Sequence, residues 1–95
     1  MGFRSKKTAK MGLSVKEIFA AVPDELLGSV ISLAIQSGGG VLIGQNRGKT
    51  ALSVTLYEPN DKNPPQYCNT ADEAFILFTE MYDYLKKNVD AAKNA

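Results

Sequence analysis

The residues whose types and spacing could do chemistry lie in and around one predicted β-hairpin. Two cations fall in its turn, polar and aromatic residues alternate along its second strand, and another tyrosine follows in a short third strand. Small side chains let a base plane approach a sheet closely, aromatic rings stack on bases, and cations bind phosphates. The pattern therefore predicts a surface for single-stranded nucleic acid, made by Arg47, Lys49, Ser53, Thr55, Tyr57 and Tyr67. An ordinary solvated sheet face, or a face covered by a second subunit, would show the same residues.

The first twelve residues carry a second group of cations. Lys6, Lys7 and Lys10 lie in a segment that has two glycines and no acidic residue. A segment this polar buries too little apolar area to order itself. We expect residues 1–12 to be a basic flexible tail and residues 13–95 to form a single α+β domain. The tail is interpreted either as a solvated segment or as a basic arm that adds contacts to nucleic acid.

The composition excludes several kinds of active site. The chain has no histidine and one cysteine, which rules out a Ser-His-Asp triad, a disulfide within the chain and a Cys/His zinc site. Cys68 is predicted to be a small buried thiol with a structural role. No apolar run reaches the ~18–20 residues that cross a bilayer. We expect a cytoplasmic, non-enzymatic protein that needs no cofactor or metal and does not bind a membrane.

Two helices are predicted before the hairpin. Ser14 and Glu17 have the spacing of a capping box, which opens a short helix that runs to about Ala21. Pro23 suits the first turn of a second helix, where acidic residues follow it and apolar residues then recur at helical spacing. The glycine run 38–40 ends this helix, because glycine takes the left-handed position after a helix without strain.

The hairpin is predicted from two β-rich runs, residues 41–45 and 50–57. An even loop keeps the apolar residues of both runs on one face, and we expect a four-residue loop with Ile43 opposite Leu52. The inner, apolar face then collects Val41, Ile43, Leu52, Val54 and Leu56. On the other face, this register pairs Leu42 with Ser53 and Gly44 with Ala51.

The rest of the chain is predicted to be a loop, an edge strand and a long helix. Residues 58–65 hold three prolines and are expected to form a loop, and residues 66–69 a short strand at the sheet edge. A second capping box, Thr70 to Glu73, opens a helix that packs on the inner sheet face and frays after residue 89. Its apolar stripe is predicted to contain Ala71, Ala74, Phe75, Phe78, Met81, Tyr82, Leu85 and Val89. Leu77 and Tyr84 flank the stripe and Ile76 lies opposite, an apolar surplus that favours a homo-oligomer.

The segments GGVLIGQNRGKTALSVTLYEPNDKNPPQY and NTADEAFILFTEM resemble small single-stranded-DNA-binding proteins of phages and mobile elements, of the PC4/whirly-like type. The resemblance implies a homodimer or larger oligomer that covers a single strand on a sheet face without a cofactor. It would assign the binding role to the six hairpin and third-strand residues named above. Sheets of that type have about four strands, whereas three are predicted here. The alternative is a small phage-type interaction module that regulates or inhibits a host protein.

Overall fold

A computed structural model describes residues 14–46 and 50–94. Within these ranges the chain forms three helices and four strands, which confirms the predicted α+β class. The predicted tail, residues 1–12, lies outside the described residues. In chain order the elements are α1 (Val15–Ala20), α2 (Asp24–Gln36), β1 (Gly40–Gln45), β2 (Leu52–Glu58), β3 (Asp61–Lys62), β4 (Gln66–Cys68) and α3 (Ala71–Asn94).

The first helix begins at the predicted capping box. The Glu17 amide donates to Ser14 Oγ at 3.1 Å, and the Ser14 amide donates to Glu17 Oε1 at 2.9 Å. These bonds satisfy two amides that a helix start leaves without partners. The bond from the Ser14 amide, with a smaller effect of the Ser14 hydroxyl, lowers the pKa of the Glu17 carboxyl. Pro23 is the N-cap of α2, one position before its expected place in the first turn.

The end of α2 determines where β1 begins. Gly38 has φ 90°, and its amide donates to the carbonyl of Ile35 at 2.9 Å. The Gly39 amide donates to the carbonyl of Ala34 at 3.0 Å, which completes a Schellman motif. A Cβ on Gly39 would lie 1.8 Å from the carbonyl oxygen of Tyr57. Only glycine therefore allows the chain to pass this close to β2.

The sheet is antiparallel, with β2 as its central strand. One edge of β2 pairs with β1, and the other pairs with β3 and β4 at different points along its length. The predicted register of the hairpin is wrong by two residues, since Ile43 lies opposite Val54 and Leu42 opposite Thr55. Gly44 correspondingly lies opposite Ser53. The passage of Gly39 beside Tyr57 explains the shift, because it aligns the strands from the helix end rather than from the turn.

The segment predicted as one loop between β2 and β4 contains β3, which pairs with the end of β2. Pro64 and Pro65 then separate β3 from β4, and β4 occupies the edge position that these prolines predicted. The count of strands is thus four where three were expected. Pro59 and Asn60 form a turn, after which β3 folds back immediately along β2. The prediction missed this turn because the three prolines of the segment favoured a loop.

The long helix α3 begins at Thr70, whose Oγ1 accepts from the Glu73 amide at 3.1 Å. In the predicted capping box, the Glu73 carboxylate would accept from the Thr70 amide. Glu73 Oε1 instead accepts from the amide of the preceding residue, Asn69, at 2.6 Å. The helix continues to Asn94, so the fraying expected after residue 89 is wrong. Near this end of the helix, Lys86 Nζ and Asp90 Oδ1 lie 3.6 Å apart.

The buried face of α3 is rotated relative to its predicted stripe. Phe75 was expected in the stripe but is exposed, whereas Leu77 was expected at its flank and is buried. The cause is β4, because Leu77 shares a cleft with Gln66 and Cys68 of that strand. The predicted exposure of Ile76 is confirmed.

The helices and the apolar face of β2 share one core. The largest fully buried side chains are Phe78, Ile18, Leu52, Leu85, Val30 and Val54. They come from all three helices and from alternate positions of β2, and they belong to one cluster. The helices therefore cover a single face of the sheet, here called the inner face.

Phe78 lies in this cluster without solvent contact, whereas Phe75 is exposed on the same helix. Phe78→Ala should lower the free energy of unfolding by roughly 3–5 kcal/mol, the usual cost of truncating a buried Phe. Phe75→Ala is the matched control and should cost less than about 1 kcal/mol. Urea unfolding of both variants checks the pair, and equal losses would contradict the orientation of α3.

Gly39 and Gly44 offer a second matched comparison. Gly39→Ala should destabilise the protein by roughly 1–3 kcal/mol or more, because its Cβ would meet the Tyr57 backbone. A Cβ on Gly44 meets nothing within 4 Å, so Gly44→Ala should be neutral or stabilise by up to about 1 kcal/mol. Thermal unfolding distinguishes the two, and a harmless Gly39→Ala would show that β1 does not start as described.

Candidate nucleic-acid interface

The side of the sheet opposite the helices is the candidate interface, here called the outer face. Successive side chains of a strand point to opposite faces, so the burial of Leu52 and Val54 on the inner face sends Ser53, Thr55 and Tyr57 outward. Directly paired residues share a face. The pairings with β1 and β4 therefore add Leu42, Gly44 and Tyr67 to the outer face.

The register arranges these residues in rows across the strands. Tyr67, Ser53 and Gly44 form one row over β4, β2 and β1. Tyr57 lies four residues further along β2, which is roughly 13 Å at about 3.3 Å per residue. The two tyrosines therefore stand at separate places on the same face. Gly40 and Lys62 are the register partners of Tyr57, and sequence reasoning missed the position of Lys62 because it treated β3 as a loop.

The outer face is open and carries three large exposed side chains. Tyr57, Tyr67 and Leu42 are 51%, 54% and 57% exposed. A Cβ on Gly40 or Gly44 would meet nothing within 4 Å, so no part of the described chain covers these positions. The patch of small residues predicted beside the tyrosines is present, although Leu42 and Gly44 have other partners than expected.

Thr55 departs from its expected role. It was predicted as a contact residue, yet it is only 8% exposed, while Ser53 is half-buried. Thr55 lies on the central strand next to Leu42, between Ser53 and Tyr57, and these neighbours leave it little access. Ala51 is buried as well. The accessible part of the face is thus the tyrosines, Leu42 and Gly44, whereas Ser53 and Gly40 are partly accessible.

The charges of the chain are distributed unevenly. All ten Asp and Glu residues fall within the described residues, together with five of the eleven cations, a formal charge of −5. None of the ten belongs to the outer face as defined above. The remaining cations lie outside the described residues and include the predicted contacts Arg47, Lys49, Lys6, Lys7 and Lys10. Arg47 and Lys49 follow Asn46, whose Oδ1 accepts from the Thr50 amide at 3.0 Å at the base of the β1–β2 connection.

A hydrogen-bond network on the helix side of the sheet holds the carboxylate of Glu58, the residue that follows Tyr57 in β2. Tyr84 Oη donates to Glu58 Oε1 at 2.7 Å, and Asn63 Nδ2 donates to Glu58 Oε2 at 2.8 Å and to the Leu56 carbonyl at 3.0 Å. The bond to Glu58 is the main reason why the pKa of Tyr84 is raised. The network ties α3 to the end of β2, and it keeps a negative charge beside Tyr57 on the inner side. No sequence motif signals it, because Tyr84 lies 26 residues from Glu58 in the chain.

Cys68 is buried on the inner face opposite Leu52, which confirms the predicted buried thiol. Burial, and to a smaller extent the charge of Glu73, raise the pKa of this thiol. A thiol that resists ionisation is a poor nucleophile, so its environment fits packing rather than catalysis.

Two other kinds of site are absent from the described ranges. Residues 14–46 and 50–94 contain no group of three Cys, Asp or Glu side chains placed to hold a metal ion. None of the three described helices combines the length and apolar character needed to cross a membrane. Comparison of the chain with protein-family models, with curated proteins and with solved structures finds no match in any of the three.

Proposed function

We propose that this protein is a non-enzymatic nucleic-acid-binding protein that holds a single strand on the outer face as part of a homo-oligomer. The observation that carries the proposal is a pair of half-exposed tyrosines on a sheet face to which no carboxylate contributes. Aromatic rings on an open sheet are the usual platform for stacking unpaired bases, and each stacked base contributes roughly 1–3 kcal/mol.

The spacing of the tyrosines suits a single strand that runs across the face. Tyr67 and Tyr57 are separated by roughly 13 Å along β2, so the two rings would stack on different bases. The open positions at Gly40 and Gly44 leave room for bases to approach the backbone. A duplex would not expose its base planes to these rings, which is why the proposal concerns single strands.

The distribution of charge supports the same ligand. The acidic residues are carried by the helices and by the end of the sheet around Glu58 and Asp61, whereas the outer face lacks them. Lys62 of β3 is the register partner of Tyr57, and Arg47 and Lys49 lie in the connection between β1 and β2. Residues 1–12 would supply further phosphate contacts through Lys6, Lys7 and Lys10. Phosphate contacts of this kind dominate affinity and make it depend on salt.

The second candidate function is an interaction module of phage type that regulates or inhibits a host protein. Leu42 favours it, because a large apolar side chain is exposed on β1 between the rows that carry the tyrosines. Exposed apolar residues flanked by aromatics are typical of protein-binding surfaces. Such a complex would not require single-stranded DNA and would depend much less on salt.

Fluorescence anisotropy with labelled oligo-dT, measured over a range of salt concentrations, tests the proposal. Four to six phosphate contacts at roughly −0.7 each predict a slope of log K against log salt near −3 to −4. Tyr57→Ala should weaken binding by roughly 1–3 kcal/mol and leave the slope nearly unchanged, because it removes stacking alone. Replacing Arg47 and Lys49 by Ala should flatten the slope by about 1.4.

Matched controls come from α3. Phe75→Ala removes an exposed aromatic ring from the helix side, and the double change of Lys86 and Lys87 to Ala removes the same charge there. Both should bind oligo-dT like the unchanged protein. If removal of residues 1–12 abolishes binding while Tyr57→Ala has no effect, the outer face is not the site. If no variant and no salt condition shows binding, the protein-interaction function takes its place.

A further inference from the structure

Among residues 14–46 and 50–94, nothing pairs with the outer edge of β1, and this edge has none of the features that block strand addition. Within the described residues, β1 pairs only with β2. Its six residues include no charge and no proline, and its register with β2 is continuous, without a bulge. Sheet edges in natural proteins are usually protected by lysine, proline, bulges or very short strands. The other edge of this sheet has such protection, because β3 and β4 are short and are separated by Pro64 and Pro65.

The hydrogen-bond pattern shows which backbone groups of β1 lie at the open edge. The Asn46 amide donates to the carbonyl of Ala51 at 3.2 Å. In an antiparallel pair, every second residue is bonded to its partner strand, so the backbone groups of residues 40, 42 and 44 point toward β2. The amides and carbonyls of Val41, Ile43 and Gln45 therefore point away from the sheet. These three donors and three acceptors are available to another strand.

An apolar ridge on α2 runs beside this edge. Leu27, Ile31 and Ile35 are four residues apart on one side of the helix, and Ile35 is 62% exposed. The opposite side of α2, with Ser29 and Ser32, lines a cleft together with Tyr82 and Lys86 of α3. The ridge thus faces away from α3. Because α2 contacts β1 and α3 contacts β4, the ridge lies on the β1 side of the molecule.

The segment that contains both features is free of charge. From Leu26 to Asn46 the chain has no Asp, Glu, Lys or Arg. A two-fold contact places each surface against its own copy, so a charge near the axis meets the same charge on the partner. An uncharged surface avoids this repulsion. The absence of cations also makes this surface unsuitable for nucleic acid, whose phosphates require them.

We infer that the β1 edge and the ridge of Leu27, Ile31 and Ile35 form a two-fold interface with a second copy of this chain, in which β1 pairs antiparallel with its counterpart. Pairing Ile43 with Ile43 of the partner subunit, on the axis, uses all six open backbone groups of each copy. Shifting the strands by two residues in either direction would leave some of them unpaired. The α2 ridges then meet above the joined strands.

The dimer would have one continuous sheet. A two-fold axis perpendicular to the sheet keeps both outer faces on the same side, so the tyrosines of the two copies would share one surface. The inference does not depend on nucleic-acid binding, since the interface is built from other residues and its test contains no nucleic acid. A monomeric protein would remove the homo-oligomer from the proposed function, but the binding of a single strand on the outer face would still be decided by the anisotropy experiment.

Sedimentation equilibrium of the full chain tests the interface with three single variants. The unchanged protein should have twice the 10.3 kDa mass of one chain at micromolar concentration. Ile35→Lys should raise the dimer dissociation constant roughly 100-fold, because a two-fold interface loses two apolar contacts and gains two like charges. Ile76→Lys is the matched control, an exposed helical isoleucine on α3 outside the interface, and should dimerise normally.

Gln45→Pro tests the strand pairing separately. Its side chain is exposed and its amide is not bonded to β2, so proline removes one donor that pairs with the second copy and no bond to β2. It should weaken the dimer while circular dichroism shows an unchanged fold. The inference is overturned by a monomeric wild type at high micromolar concentration. It is also overturned if Ile76→Lys weakens the dimer as much as Ile35→Lys, or if a folded Gln45→Pro dimerises like the wild type.

Discussion

The burial of alternate β2 residues against the helices is the interaction on which the rest of this structure depends. Leu52 and Val54 lie with Phe78 and Ile18 in a core that all three helices share. Because the side-chain period of a strand is two, burying these positions forces their neighbours to the other face. Every strand of the sheet pairs with β2, so this one choice of face extends across the whole sheet.

The outer face has its properties because the three described helices are on the other side of the sheet. Tyr57 and Tyr67 are about half exposed, and they lie beside glycines that no described residue covers. The network around Glu58 holds the nearest carboxylate on the helix side. Packing and polar bonds together produce an aromatic face to which no carboxylate contributes.

Local signals predicted much of this arrangement from the sequence. The capping box at Ser14, the glycine stop after α2 and the alternation along β2 are interactions between residues close in the chain, and the structure has all three. The expectation of an even number of loop residues was enough to predict which side chains lie on the outer face. The register is shifted by two residues, and such a shift preserves which side chains share a face.

What could not be predicted depends on contacts between distant residues. The hairpin register follows from Gly39 passing Tyr57, an approach that strand propensities do not report. Leu77 is buried because of the position of β4. Thr55 has little access to solvent because of its neighbours on the central strand. The six cations of residues 1–13 and 47–49 remain predicted contacts, because they lie outside the described residues.

The claim that the open sheet face binds the ligand can be tested directly by NMR titration of the labelled protein with oligo-dT. The account predicts that the amide signals of Ser53, Tyr57 and Tyr67 shift, while those of the solvent-facing residues of α3, such as Asp83 and Lys87, stay in place. Shifts concentrated on the helices, with the three sheet signals unchanged, would contradict it.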